Sequence, residues 1–163
     1  MKIQILDKTK KKKFIEGISN FGVSKISELL IRTGSERVRA YSGNLSTDEI
    51  MGIWRILPIE GVGLYVGKDL IDRHGVREIR LSVDGLHTWQ NQITKDIFVL
   101  SESQEEEWFK GKNIELDKIE KEGFVAVKSN DEKDFVGMGK IGAGGKILFN
   151  FLPKERRRKS QVI

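Results

Sequence analysis

The chain contains no cysteine among its 163 residues, which excludes disulfides, thiolate zinc sites and a cysteine nucleophile together. Only two histidines are present, His74 and His87, in unrelated contexts, so a histidine metal site or a catalytic triad has almost nothing to work with. Proline is scarce, and no apolar run approaches the roughly 20 residues that a membrane helix needs, so no membrane partner is expected. The opening MKIQILDKTKKKK lacks the apolar centre of a secretory signal, which makes the cytoplasm the expected location. What is present, 38% hydrophobic and 33% charged residues, is the composition of a folded protein with room for two compact domains.

Net charge is +5, and its placement says more than its size. Residues 1–13 hold six lysines against Asp7, and residues 153–163 hold Lys154, Arg156, Arg157, Arg158 and Lys159 against Glu155. The body between these ends is therefore slightly acidic. Two terminal basic clusters suit a polyanion held at defined places, because each cation set against a phosphate releases a counterion. Solvated basic tails would look the same at this level.

Along the chain, KIQIL alternates as a short strand or lead-in. Thr9 is placed to cap a helix over about residues 10–20, with Phe14, Ile15, Ile18 and Phe21 at helical spacing and Lys10 to Lys13 in its first turn. Lysines there oppose the helix dipole without a structural return, which favours a binding role for the cluster. ISELLIRT and ERVRAYS flank Gly34-Ser35 as a hairpin, and Ser46-Thr47-Asp48-Glu49 opens a helix through Ile50, Ile53, Trp54 and Leu57 that Pro58 closes. GVGLYVGK and EIRLSV read as strands joined by a polar connection at 69–77, followed by a polar stretch from His87 to Thr94. Asp96 to Leu100 is a compact strand. Ser101-Glu102 caps a short acidic helix that carries Trp108 and Phe109 inward and ends at Gly111. KNIEL, FVAVKS, FVGMGKIG and KILFNFLP, separated by glycine or charged turns, have the spacing of a small barrel.

Several motifs fail on context. Gly137-Met138-Gly139-Lys140-Ile141-Gly142 matches G-x-G-x-x-G, but a strand rather than a helix is expected to follow, so the pyrophosphate site of a dinucleotide fold is missing. Gly145-Lys146 lacks the earlier glycine and the following hydroxyl of a phosphate loop. Gly61, Gly63 and Gly67 fit a bulge or a close backbone approach. The acidic run Glu102 to Glu107 has no neighbouring base and serves a helix N-terminus. His74 and His87 are expected at the surface. Of the three tryptophans, Trp89 in GLHTWQNQ is the candidate for an exposed stacking platform. No catalytic residue, cofactor or metal is expected, and the chain is expected not to be an enzyme.

Phe98-Val99-Leu100, Trp108-Phe109-Lys110-Gly111, Gly123 to Val127 and Val136 to Lys140 resemble a PUA domain. The ending Asn150-Phe151-Leu152-Pro153-Lys154-Glu155-Arg156-Arg157 is similar to the C-terminal PUA-like extension of Nop-two/Sun-type RNA cytosine methyltransferases. The order of helix, hairpin, helix and strands ahead of it resembles the layout of the Nip-seven family of ribosome-biogenesis factors. These resemblances imply an α+β chain with a pre-PUA module at 1–94 and a PUA-like β-barrel at 95–163. They imply a non-catalytic RNA-binding protein in rRNA processing or ribosome biogenesis; the alternative is an accessory subunit that delivers rRNA or tRNA to a separate modification enzyme. The implied partners are RNA and a ribosome-assembly or RNA-modification protein. Carried over by position, Gly111, Lys112, Gly139 and Lys140 would lie at the RNA surface, with Lys146, Asn150, Lys154, Arg156, Arg157 and Arg158 as its basic rim.

Overall fold

The computed structural model describes residues 2–159. Between Ile93 and Thr94 the chain divides into two compact units, each α+β. Among the described residues no helix is long and apolar enough to cross a membrane.

The first unit is a five-stranded antiparallel sheet in sequence order, made of β1 (Ile3–Ile5), β2 (Leu29–Thr33), β3 (Arg37–Tyr41), β4 (Leu64–Ile71) and β5 (Arg77–Leu81). Its helices are α1 (Lys8–Ile18), α2 (Thr47–Ile56) and α3 (Val83–Thr88). One sheet face carries α1 and α3: Gly17 of α1 packs on Ile79, and Phe14 meets Trp89 edge-on with ring centroids 6.2 Å apart. The other face carries α2, whose Ile50 is buried with Ile3 and Ile31. On the first face Asp69, 8% exposed, takes Arg32 and Arg77 as partners, with Arg77 Nε donating to Oδ1 over 2.7 Å. That carboxylate holds the Arg77 guanidinium above its ordinary pKa, mainly through the hydrogen bond.

Several expectations for this unit are corrected. Asp7 caps α1 in place of Thr9, its Oδ1 accepting from Lys10 N over 2.9 Å, so a carboxylate faces the positive helix end that the lysines crowd. Ser46 and Glu49 close a reciprocal capping box on α2 as expected, but Ile53 and Leu57 are 37% and 56% exposed. β4 runs on to Ile71, and the connection shrinks to 72–76, where Asp72 Oδ1 accepts from His74 N and Val76 N. The stretch after β5 is not simply polar: Ser82 caps α3, and Gly85 lets that helix sit on the backbone of Val66. Trp89 is 3% exposed, with Nε1 donating to Glu28, so it is no stacking platform. The glycine series does mark a bulge, since pairing shifts between Val38 and Arg39 opposite Tyr65 and Gly67.

The second unit contains β6 (Ile97–Val99), α4 (Glu102–Phe109), β7 (Ile114–Glu115), β8 (Gly123–Lys128), β9 (Phe135–Gly142) and β10 (Ile147–Asn150). The strands form a curled half-barrel sheet in the order β6-β8-β9-β10-β7, with β6 parallel to β8 and the other pairs antiparallel. G-x-G-x-x-G lies entirely within β9, where no helix N-terminus is available to a pyrophosphate. Trp108 is fully buried against this sheet, and its Nε1 donates to Val136 O over 3.1 Å. Truncating a side chain of this kind costs about 3–5 kcal/mol.

Candidate nucleic-acid interface

The basic edge of the second unit is built where α4 stops. Ser101 and Gln104 start the helix with a capping box. Gly111 ends it at φ 81°, with Gly111 N donating to Trp108 O and Lys112 N to Glu107 O, the paired bonds of a left-handed glycine cap. Lys110 and Lys112 thus fall at the negative end of the helix dipole, which they offset. Glu107 receives both ammonium groups, at 3.2 and 3.0 Å. Hydrogen bonds from Lys112 and then Lys110 hold its carboxyl below the ordinary carboxylate range.

The chain end returns to this helix terminus. Asn150 is the joint: its Nδ2 donates to Trp108 O and Lys112 O over 2.9 and 3.0 Å, and its Oδ1 accepts from Leu152 N. Arg157 lies over Gly111, so closely that a Cβ added there would stand 2.5 Å from its Cδ, and its Nε donates to Leu152 O over 3.0 Å. Arg158 N donates to Phe109 O over 2.7 Å while its guanidinium covers the Phe109 ring at 5.0 Å. Lys154 and Arg156 occupy a single exposed 3-10 turn between these anchors.

The structure therefore gathers Gly111, Lys112, Asn150, Arg157 and Arg158 into one cluster, with Lys154 and Arg156 on the adjoining turn. The remaining positions lie elsewhere. Gly139 is buried, where a Cβ would come 2.7 Å from Leu148 Cδ1 and 2.8 Å from Phe149 O, so its missing side chain serves packing. Lys140 points to the opposite sheet face, its Nζ 4.8 Å from the Phe124 ring centroid. Lys146 is exposed at the far end of β10 from Asn150, about 13 Å away by strand rise. Two cations outside the rim carried over from the resemblance join the edge: Lys110 and Lys159, with Glu106 and Arg158, line an open hollow of about 220 Å³. Lys110 is legible as a helix-end lysine; the reach of Lys159 depends on the fold-back of residues 150–158.

A curled sheet, one helix ending in a glycine cap and a basic segment laid across that cap are consistent with a PUA fold, and a PUA domain implies RNA binding. Residues 95–158 match the family described as the Methyltransferase RsmF PUA domain, and this segment is a PUA domain of that type. No curated protein matches the chain.

Proposed function

We propose that the chain is a non-catalytic RNA-binding protein acting in rRNA processing or ribosome biogenesis, with the α4 terminus and residues 154–159 as its phosphate-facing edge. The observation that carries the proposal is the concentration of Lys110, Lys112, Lys154, Arg156, Arg158 and Lys159 around one helix end of a PUA domain. Most of these ammonium and guanidinium groups are exposed, so they can exchange water and counterions for phosphates. Recognition by such a surface favours folded RNA with unpaired edges over duplex DNA.

The match to a methyltransferase PUA domain supports a second reading, in which the chain delivers rRNA or tRNA to a separately encoded modification enzyme. Crosslinking in cells followed by sequencing separates the two. Reads concentrated on large-subunit rRNA precursors without a co-purifying methyltransferase support the first, and rRNA or tRNA reads with a co-purifying methyltransferase support the second. Purified protein incubated with RNA and S-adenosylmethionine should transfer no methyl group; turnover proportional to protein would overturn the non-catalytic assignment.

A further inference from the structure

The first unit carries a row of cations in register on neighbouring strands. Cross-strand pairing sets Thr33 opposite Arg37, Arg37 opposite Lys68, and Lys68 opposite Arg80. Directly opposed residues share a sheet face, and this is the face on which α2 packs, over Ile3 and Ile31 with Ile5, Leu29 and Tyr41 beside them. The helices over β4 and β5 lie on the reverse side. Three cations thus stand in register on three neighbouring strands.

Adjacent strands lie about 4.8 Å apart, inside the Debye length of about 8 Å at physiological salt, so solvent ions do not screen the repulsion away. Like charges directly opposite destabilise a sheet. Neutralisation within the unit is slight. Glu78 pairs with Arg80 over 3.3 Å, while among the described residues neither Arg37 nor Lys68 has an acidic partner. Arg39 adds a further charge on the same face, held by donation from its Nη1 to Gly63 O over 3.1 Å. Arg37 and Lys68, directly opposite each other without an acidic partner among the described residues, are a local excess of positive charge on a chain whose middle is acidic overall.

We infer that this sheet face is a second RNA-contacting surface, on which Arg37, Lys68 and Arg80 take successive phosphates of an unpaired strand. The inference rests on the reading of the chain as an RNA binder and adds a surface outside the PUA domain. A sheet with cations on neighbouring strands offers spaced phosphate contacts without base readout, so this surface adds affinity and leaves sequence choice elsewhere.

The test measures binding of the full chain to a fluorescein-labelled oligouridylate by anisotropy across a salt series. Four proteins are compared: the wild type, Arg37→Gln/Lys68→Gln, a C-terminal-edge variant Lys154→Gln/Arg156→Gln/Arg158→Gln, and Lys118→Gln/Lys121→Gln. The last removes the same charge as the sheet-face variant from an exposed loop. Two lost single-strand phosphate contacts flatten the log–log salt slope by about 1.4, and the loop control should leave it unchanged. The sheet-face variant should melt no lower than wild type, because it removes repulsion. A wild-type slope in Arg37→Gln/Lys68→Gln, or an equal loss in the loop control, overturns the second surface. If the edge variant still loses binding in that case, the PUA reading stands alone. A wild type that does not bind the oligouridylate overturns the sheet-face surface too, and an acidic protein becomes the partner to seek for this row.

Discussion

Replacing Gly111 with alanine puts a methyl group where the Arg157 side chain now rests. The left-handed φ of 81° costs an L-residue about 1–2 kcal/mol on its own. The added Cβ would also stand 2.5 Å from Arg157 Cδ and Nε. A flexible side chain gives way more easily than a helix cap, so Arg157 should swing out and lose its bond to Leu152 O, worth about 1 kcal/mol at a half-exposed site. Gly111→Ala is therefore expected to destabilise the second unit by about 2–3 kcal/mol, and Arg157→Ala by about 1 kcal/mol. Because the arginine bond is lost only once, the double variant should resemble Gly111→Ala, leaving a coupling of about 1 kcal/mol. Urea unfolding of the full chain, followed by the Trp108 indole N–H resonance, isolates this unit, since Trp54 and Trp89 belong to the other. Single-variant losses that add without coupling would show that the guanidinium does not seat on Gly111.

Other outcomes follow from the same geometry. Glu107→Gln should release Lys110 and Lys112 and steepen the salt dependence of RNA binding by up to about 1.4 in log–log slope; an unchanged slope would place both lysines outside the interface. Gly139→Ala should overpack the sheet against Leu148 by about 1–3 kcal/mol, whereas a fully stable variant with weakened RNA binding would return Gly139 to the RNA surface. Asp69→Asn should cost the first unit about 3 kcal/mol, because two guanidinium groups lose their buried counter-charge; a melt unchanged from wild type would refute that role. Glu49 and Glu107 both have folded pKa values below their ordinary 4.5, so their contributions are present above that value and are lost as pH falls through the depressed folded ones. NMR titration of the two carboxyl groups checks the direction.

Sequence reading reaches the parts of this fold whose signals are local. The capping box at Ser46, the helix stop at Gly111, the strands of both sheets and the failure of G-x-G-x-x-G as a phosphate loop all depend on near neighbours. It misses what depends on partners far along the chain. α3 is hidden because Gly85 looks like a helix breaker until Val66 is packed beneath it. Trp89 looks exposed because its polar neighbours conceal Phe14 and Glu28, more than 60 residues earlier. Within the candidate site, Lys154, Arg156 and Arg158 are legible as a charge run, but the difference between exposed Arg156 and pinned Arg157 comes from a fold-back onto Gly111. The cation row of the first unit requires strand register, including one bulge, before it exists at all.

On the proposed function, exposed cations at the end of the PUA domain hold RNA by its phosphates. The direct measurement is the salt dependence of RNA affinity for the full chain and for Lys154→Ala/Arg156→Ala/Arg158→Ala, with Arg157 left in place to keep its anchor on Leu152. Exposed charges contribute only about 0–1 kcal/mol each to folding, so the variant should melt close to wild type. Three lost contacts to single-stranded phosphates should flatten the slope by about 2.1 and weaken binding most at low salt. A variant with wild-type affinity and an unchanged slope would make the basic end a solvated tail and contradict the account.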